Sequence, residues 1–268
     1  MRRTGVSPIL LIGAGKMGGA LAKGWLKHGL GPVIAVEPKP SPALKRLKGL
    51  TLVAALEDLP AQRFRACVVA IKPQVLKGEA ERLKAIAAAG TPMISIAAGT
   101  RVAFLARAWG KKARILRAMP NTPSAVGRGI TALYAAPSAT ATDRRLAQSL
   151  LVALGEVVWI EREALIDAVT SVSGCGPAYV FALVEALAEA GSAQGLSREM
   201  AEKLARATVC GAGALLDADS RPPADLRRDV TSPGGATEAG LKVLLGGLHA
   251  LLAKTVAAAR KRAQELSR

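Results

Sequence analysis

Near the start of the chain, Gly13-Ala14-Gly15-Lys16-Met17-Gly18 sets three glycines in the spacing G-x-G-x-x-G. Glycine at these positions permits a tight turn, lets backbone come close to a pyrophosphate, and lets a helix pack on a strand. The chemistry this serves is anion binding at a helix N-terminus, where backbone N–H groups lack intrahelical acceptors. A glycine triad alone is a weak signal. Here it follows the apolar run Ile9–Ile12 and opens the helical pattern Gly18–His28, the strand–turn–helix setting that a dinucleotide site requires. Gly13, Ala14, Gly15, Lys16, Met17 and Gly18 are therefore candidate cofactor-binding residues. Glu37 follows about 20 residues later, at the end of the run Val33–Val36. An acid there accepts hydrogen bonds from an adenosine ribose and favours NADH over NADPH. Lys39, Ser41, Lys45 and Arg46 come directly after it and offer a 2′-phosphate site instead, and a solvated loop acid is the plain alternative. Both cofactors stay open at this level. A second anion site is suggested by Ser232-Pro233-Gly234-Gly235-Ala236-Thr237, which precedes a helical pattern. Two glycines at a helix start leave N–H groups uncovered, a ready place for a carboxylate.

The elements that must hold these loops follow from periodicity. Short apolar runs at Ile9–Ile12, Val33–Val36, Leu50–Val53, Cys67–Ile71, Met93–Ala97 and Ile115–Met119 alternate with helical stretches such as Val75–Ala89. That alternation predicts an α/β fold, a doubly wound parallel sheet of the Rossmann type. Ile130–Tyr134 and Glu156–Ile160, flanking a helix at Asp143–Leu154, would extend the sheet. After residue 161 the strand pattern stops, so residues 1–161 form the dinucleotide-binding domain and 162–268 an all-helical one. Leu165, Ile166, Val169 and Val172 hold helical spacing until Gly174-Cys175-Gly176-Pro177, where proline interrupts the helix. Ala178–Ala190 reads as a helix apolar almost all round, Ser197 as an N-cap for a helix to about Ala218, and Ser220–Asp225 as a polar, proline-bearing connection. Two final helices are expected at Gly235–Leu245 and Leu248–Leu266. A helix as apolar as Ala178–Ala190 needs a cover, which predicts a dimer through the second domain.

Composition narrows the class. The chain has 268 residues, 50% hydrophobic and 21% charged, enough to bury sizeable cores. Its formal net charge is +17, but the cations are dispersed and aromatics are only 3%, so no basic run is interleaved with stacking rings. A solvated basic surface that also attracts an anionic cofactor and an acidic substrate is the reading, rather than nucleic-acid binding. Three separate cysteines, Cys67, Cys175 and Cys210, and two histidines, His28 and His249, give no disulfide framework and no metal cluster, so no metal is expected and a reducing cytoplasm is. No uninterrupted apolar run approaches the ~20 residues of a membrane span. Met1-Arg2-Arg3 before Ile9–Ile12 mimics a signal peptide only faintly, and a buried first strand reads better.

Further motifs close candidate strands: Ala70-Ile71-Lys72-Pro73-Gln74, Ser95-Ile96-Ala97-Ala98-Gly99-Thr100 and Arg117-Ala118-Met119-Pro120-Asn121-Thr122-Pro123. Downstream lie Val172-Ser173-Gly174-Cys175-Gly176-Pro177-Ala178-Tyr179-Val180 and Asp229-Val230-Thr231 leading into the Ser232–Thr237 loop. With the glycine motif, in order from about residue 8 to 266, these resemble pyrroline-5-carboxylate reductases. The resemblance implies reduction of 1-pyrroline-5-carboxylate to L-proline by NADPH or NADH, and self-association through the helical domain. It implies that Ala70, Lys72 and Pro73 line the nicotinamide end of the cofactor largely through backbone, that Ile71 beside them also binds the cofactor, that Ala97, Ala98 and Gly99 approach it closely, and that Asn121 lies on a neighbouring loop. Lys72 has an alternative as an ordinary strand-end lysine. Ser232, Gly234, Gly235 and Ala236 would fix the substrate carboxylate, and Thr237 would be the catalytic hydrogen-bonding residue for the ring nitrogen. Cys175 and Asp229 depart from the usual residues at their positions. A protonated imine is already electrophilic, which accounts for the lack of an acid–base pair; positioning carries the catalysis. A β-hydroxyacid dehydrogenase is the nearest alternative. Those enzymes resemble one another in using a lysine on the interdomain helix, and this chain has none between Lys112 and Lys203. A non-catalytic dinucleotide-binding protein is the alternative of another class.

Overall fold

Four-residue runs of branched aliphatic residues become the central strands. The structure is a computed structural model and describes residues 6–267, so Met1-Arg2-Arg3 lies outside the described residues. β1 (Ile9–Ile12), α1 (Lys16–Lys27), β2 (Val33–Val36), α2 (Pro42–Lys45), β3 (Leu50–Val53), β4 (Ala66–Val69), α3 (Pro73–Glu79), α4 (Lys84–Ala88), β5 (Met93–Ser95), α5 (Val102–Trp109) and β6 (Ile115–Met119) follow in turn. β7 (Gly129–Ala135), α6 (Ala141–Val152) and β8 (Gly155–Trp159) complete the sheet, and α7 (Leu165–Val169), α8 (Gly176–Ala193), α9 (Arg198–Ala218), α10 (Pro223–Asp229) and α11 (Ala236–Leu266) are helical.

The eight strands lie in the order β3-β2-β1-β4-β5-β6-β7-β8. Ile9 of β1 pairs with Val33 of β2 on one side and Ala66 of β4 on the other, so the chain reverses its winding direction beside β1. In such sheets ligands sit at the carboxyl ends of the strands flanking the switch. β1 through β6 are parallel, as the alternating pattern predicts. β7 instead runs antiparallel to β6, with Arg117 opposite Tyr134, and β8 is parallel to β7. The link between β6 and β7 is one short turn, Thr122–Val126, closed by Gly127 at φ 74°. It is too short for the crossover that a parallel pairing needs.

Alternate residues of β1 feed two cores. Ile9 and Leu11 pack with Leu21, Trp25, Val33 and Leu150 on one face; Leu10 and Ile12 pack with Leu76, Leu83, Met93 and Trp109 on the other. Each buried indole is satisfied: Trp25 Nε1 donates to the Leu150 carbonyl at 2.7 Å and Trp109 Nε1 to the Ala80 carbonyl at 2.9 Å. Cys67 sits in the second core, and burial pushes its thiol pKa far up, keeping it protonated. Helix α6 opens on a reciprocal cap, in which Asp143 N–H donates to Thr140 Oγ1 at 3.2 Å and Thr140 N–H to Asp143 Oδ2 at 2.8 Å.

The strands end by residue 159, but the compact units divide later. One unit takes in residues 1–175 and 259–268; the other is residues 176–258. The last turns of α11 thus belong with the sheet. The regular helix is interrupted around Gly174-Cys175-Gly176-Pro177 as expected: Thr170–Gly174 forms a π turn, with Cys175 N–H on the Thr170 carbonyl at 2.8 Å, Cys175 is a bend, and α8 starts at Gly176 with Pro177 in its first turn. Two other helical expectations change. The two expected C-terminal helices are one, because Gly246-Gly247 weaken a helix without ending it. Pro222-Pro223 starts the short α10 where a plain connection was expected.

Within the second unit α8 and α9 meet through small side chains, Ala188, Ala201 and Ala205, with Val184 against them. Phe181, Leu187, Val243 and Leu251 are left exposed. Two helical stretches, Leu165–Ala193 and Ala236–Leu266, also have the length and mean hydropathy, 1.3 and 1.4, of a membrane span. A count of uninterrupted apolar residues does not register them, since Glu185 and Glu189 interrupt the first and Lys242 and Lys254 the second.

Candidate functional site

The glycine turn joins β1 to α1, and its three glycines answer to different constraints. Gly13 has φ 87°, and a Cβ there would lie 2.6 Å from the Ile71 side chain and 3.0 Å from the Ala70 carbonyl. A Cβ on Gly18 would lie 2.1 Å from the Gly13 carbonyl oxygen. Both are demanded by the protein's own packing. Around Gly15 no atom beyond its own chain neighbours lies within 4 Å of the same position. Gly15 is also the N-cap of α1, and no side chain caps it, so the first-turn N–H groups have no capping side-chain acceptor. The cradle fits a dinucleotide pyrophosphate: room at Gly15, N–H donors, and no carboxylate in the first turn of α1. Lys16 is exposed there, and Ala14, Met17 and Gly18 are buried or half-buried.

Beside this turn lies a cleft of about 400 Å³, lined by Gly13, Glu37, Ile71, Val75, Glu79 and Arg82. Ala14 N–H donates to Glu37 Oε2 at 2.9 Å and Lys39 N–H to Glu37 Oε1 at 3.1 Å. Arg82 pairs with Glu57 at 2.5 Å and with Glu79; neither Glu79 nor Arg82 stands out in the sequence, because their placement depends on how α3 turns back over the sheet.

A second cleft, about 300 Å³, opens at the carboxyl ends of β4 and β5. Pro73, Ala98 and Gly99 line it, joined by Gln74, Lys77, Asp167 and Thr170. Gly99, at φ 70°, makes its close approach to the end of α11: a Cβ there would lie 2.9 Å from the Leu266 carbonyl oxygen. Ser267 Oγ donates to buried Asp167 Oδ1 at 3.2 Å, tying that chain end to α7. The loop Ala97–Thr100 is braced from behind. Arg117, only 3% exposed, donates to Glu163 Oε1 at 2.7 Å, and the same oxygen accepts Val102 N–H at 2.7 Å at the start of α5. Ala70 packs under Gly18, and Lys72 is exposed as the N-cap of α3. Asn121 is buried, and its Oδ1 accepts Ile130 N–H at 3.0 Å, which holds the β6–β7 turn.

In the second unit, Ser232, Ala236 and Thr237 are exposed and α11 begins at Ala236. A cleft of about 640 Å³ is lined by Thr231, Gly234, Gly235, Arg227, Lys242 and Glu238, among others. Two expected donors are already engaged: Gly235 N–H binds the Ser232 carbonyl at 3.0 Å, and Gly234 N–H binds Glu238 Oε2 at 2.7 Å. Arg227 and Lys242 supply positive charge that the sequence alone does not place at this site.

Residues 163–266 match the family model described as pyrroline-5-carboxylate reductase dimerisation, and residues 8–99 the model described as NADP oxidoreductase, coenzyme F420-dependent. A pyrroline-5-carboxylate reductase of Pisum sativum is 37% identical over 261 residues, spanning 96% of this chain and 94% of its own. The chain belongs to the pyrroline-5-carboxylate reductase family. The relative from Pseudomonas aeruginosa is 38% identical over 264 residues, 97% of this chain and 96% of its own. Among solved structures, the pyrroline-5-carboxylate reductase of Coxiella burnetii superposes with TM-score 0.91 at 36% identity, covering 98% of this chain and all (100%) of that one. That of Plasmodium falciparum, with NADP bound, reaches TM-score 0.83 at 27% identity over 98% of each chain. The exposed apolar helices of residues 176–258 therefore lie within the reductase family's dimerisation domain, and self-association through it is supported.

Proposed function

We propose that this chain reduces 1-pyrroline-5-carboxylate to L-proline with a hydride from NADPH or NADH. The observation that carries the reading is the β1–α1 cradle, open only at Gly15, in a chain that belongs to the reductase family along nearly its whole length. The bound dinucleotide would supply hydride to the carbon of the protonated imine, leaving a secondary amine that takes its further proton from water. The chain's own residues orient and enclose. Gly15, Lys16 and Met17 would hold the pyrophosphate, and Glu37 and Ile71 the adenosine half. Pro73, Ala98 and Gly99 would shape the far end of the cofactor site, with Ala97 and Lys72 behind and beside it. Ser232, Gly234, Gly235 and Ala236 would receive the substrate carboxylate in the field of Arg227 and Lys242, displacing Glu238 from Gly234. Thr237 would hydrogen-bond the ring nitrogen and set its direction to the hydride. Such positioning is worth several orders of magnitude in rate without any strong acid.

Self-association, a cytoplasmic setting, and no nucleic-acid or membrane partner belong to the same reading. The test is loss of reduced-cofactor absorbance when purified protein meets 1-pyrroline-5-carboxylate, with NADPH and NADH run in parallel. Oxidation that requires both protein and imine, with proline as product, is expected. No oxidation with either cofactor, in protein shown to be folded, would overturn the assignment.

A further inference from the structure

The cleft beside the glycine turn contains three charged side chains, Glu37, Glu79 and Arg82, and their bonding sets which charge it accepts. Glu37 has both carboxylate oxygens held by backbone N–H groups, Ala14 at 2.9 Å and Lys39 at 3.1 Å. A free glutamate swings away from an approaching anion at small cost. This one swings only by releasing two N–H groups, one of them inside the glycine turn itself. Arg82 is the one cation among the described lining residues, and it is already bonded to Glu57 and Glu79. The residues that could have formed a phosphate site do not line this cleft, although Lys39 reaches Glu37 through its backbone N–H. Ser41 Oγ accepts Leu44 N–H at 3.3 Å to cap α2, and Lys39, Lys45 and Arg46 are absent from the lining.

We propose that Glu37 makes this chain discriminate against a 2′-phosphate, so that NADH is bound more tightly than NADPH. The inference rests on the dinucleotide reading of the same cleft. A ribose 2′-hydroxyl donates into the lone pairs left on the pinned carboxylate. A 2′-phosphate brings negative charge against a carboxylate held by two N–H groups and finds no uncommitted cation among the described lining residues, and that repulsion is the source of selectivity.

ADP-ribose and 2′-phospho-ADP-ribose, which lack the nicotinamide, isolate this end of the cofactor from catalysis. Their Kd values are measured by calorimetry on the full chain at about 0.15 M salt, where the general attraction of a basic protein for anions is screened. ADP-ribose is expected to bind about tenfold more tightly or better. Equal affinities, or tighter binding of the phosphorylated fragment, would overturn the proposal. Binding of neither fragment would overturn it together with the dinucleotide reading. Glu37→Gln keeps an oxygen for the backbone and removes the charge, and in that variant the gap should close. A gap that persists in folded Glu37→Gln would show that Glu37 is not its cause. The ratio of kcat/KM for NADH and NADPH should follow the binding ratio in both proteins.

Discussion

Gly15 and Gly18 are one residue type three positions apart, yet the structure makes them opposite experiments. A methyl on Gly18 would overlap the Gly13 carbonyl at 2.1 Å, so Gly18→Ala must move backbone and should cost about 2 kcal/mol or more of stability as overpacking. A methyl on Gly15 meets no atom within 4 Å beyond its chain neighbours, so Gly15→Ala should unfold within about 4 °C of the parent, as an N-cap change of about 1 kcal/mol or less. It should still weaken dinucleotide binding about tenfold or more, because the methyl occupies the space the pyrophosphate needs. Thermal unfolding paired with cofactor titration separates the two; equal binding by Gly15→Ala and the parent would deny the cradle its ligand. Thr237→Ala tests the other site: kcat should fall by about ten- to a hundredfold, the range of one lost orienting hydrogen bond, with unfolding unchanged at this exposed position. If kcat and KM both stay as they are, the ring nitrogen is oriented by another group. At this scale the glycines were readable because each answers a backbone requirement that side-chain identity reports directly. Arg82, Glu238 and Arg227 were not, because a charge becomes part of a site only through partners that tertiary structure brings near.

Elements were readable where local pattern and packing agree. Strands β1, β2, β3 and β6 fall on their apolar runs residue for residue; β1 and β2 are buried along their whole length, as a strand covered on both faces is a continuous hydrophobic run. Pattern said less where the outcome turns on connection length or on competition within a helix. The reversal of β7 depends on a short turn, and the uninterrupted α11 depends on whether Gly246 and Gly247 cost more than the surrounding turns return. The brace behind Ala97–Thr100 is wholly tertiary. Glu163 lies 61 residues from Val102 and 46 from Arg117, and its one oxygen serves both. Glu163→Ala would strand buried Arg117 and uncap α5 together. It should lower stability by about 3 kcal/mol, the usual result of removing one partner from a buried pair. Arg117→Met with Glu163→Gln should recover a large part of that loss, since the stranded charge is gone and the amide still accepts Val102 N–H. Denaturant unfolding of the three proteins checks this, and a single variant as stable as the parent would mean that water already satisfies Arg117.

The whole molecule poses one question that its two units answer separately: what covers the apolar surface of residues 176–258. Phe181 is 62% exposed, Leu251 63% and Val243 81%, on helices whose charges are too few to keep such faces in water. The first unit buries its apolar residues on both faces of the sheet, and the second has only the small Ala188–Ala201–Ala205 core. A bilayer fits poorly as the cover, because Glu185, Glu189, Lys242 and Lys254 would have to enter it at a cost of about 2.5–3.5 kcal/mol for each Lys near the centre. A second copy needs no such step, and the dimerisation match spans this region. Solubility does not require the cover, since a net charge of +17 opposes non-specific clumping; stability does. The protein should therefore sediment as a dimer or a multiple of one, with a Tm that rises with protein concentration, as mass action demands when folding and association are linked. Phe181→Glu and Leu251→Glu, at positions that touch little within their own chain, should each shift the population towards monomer and lower Tm while leaving the far-ultraviolet helix signal in place. Sedimentation velocity over a hundredfold range of concentration, about what separates a weak dimer from an obligate one, reads this directly. A parent that sediments as a monomer throughout, with a concentration-independent Tm, would mean that these helices are stable uncovered and that their apolar faces await another partner.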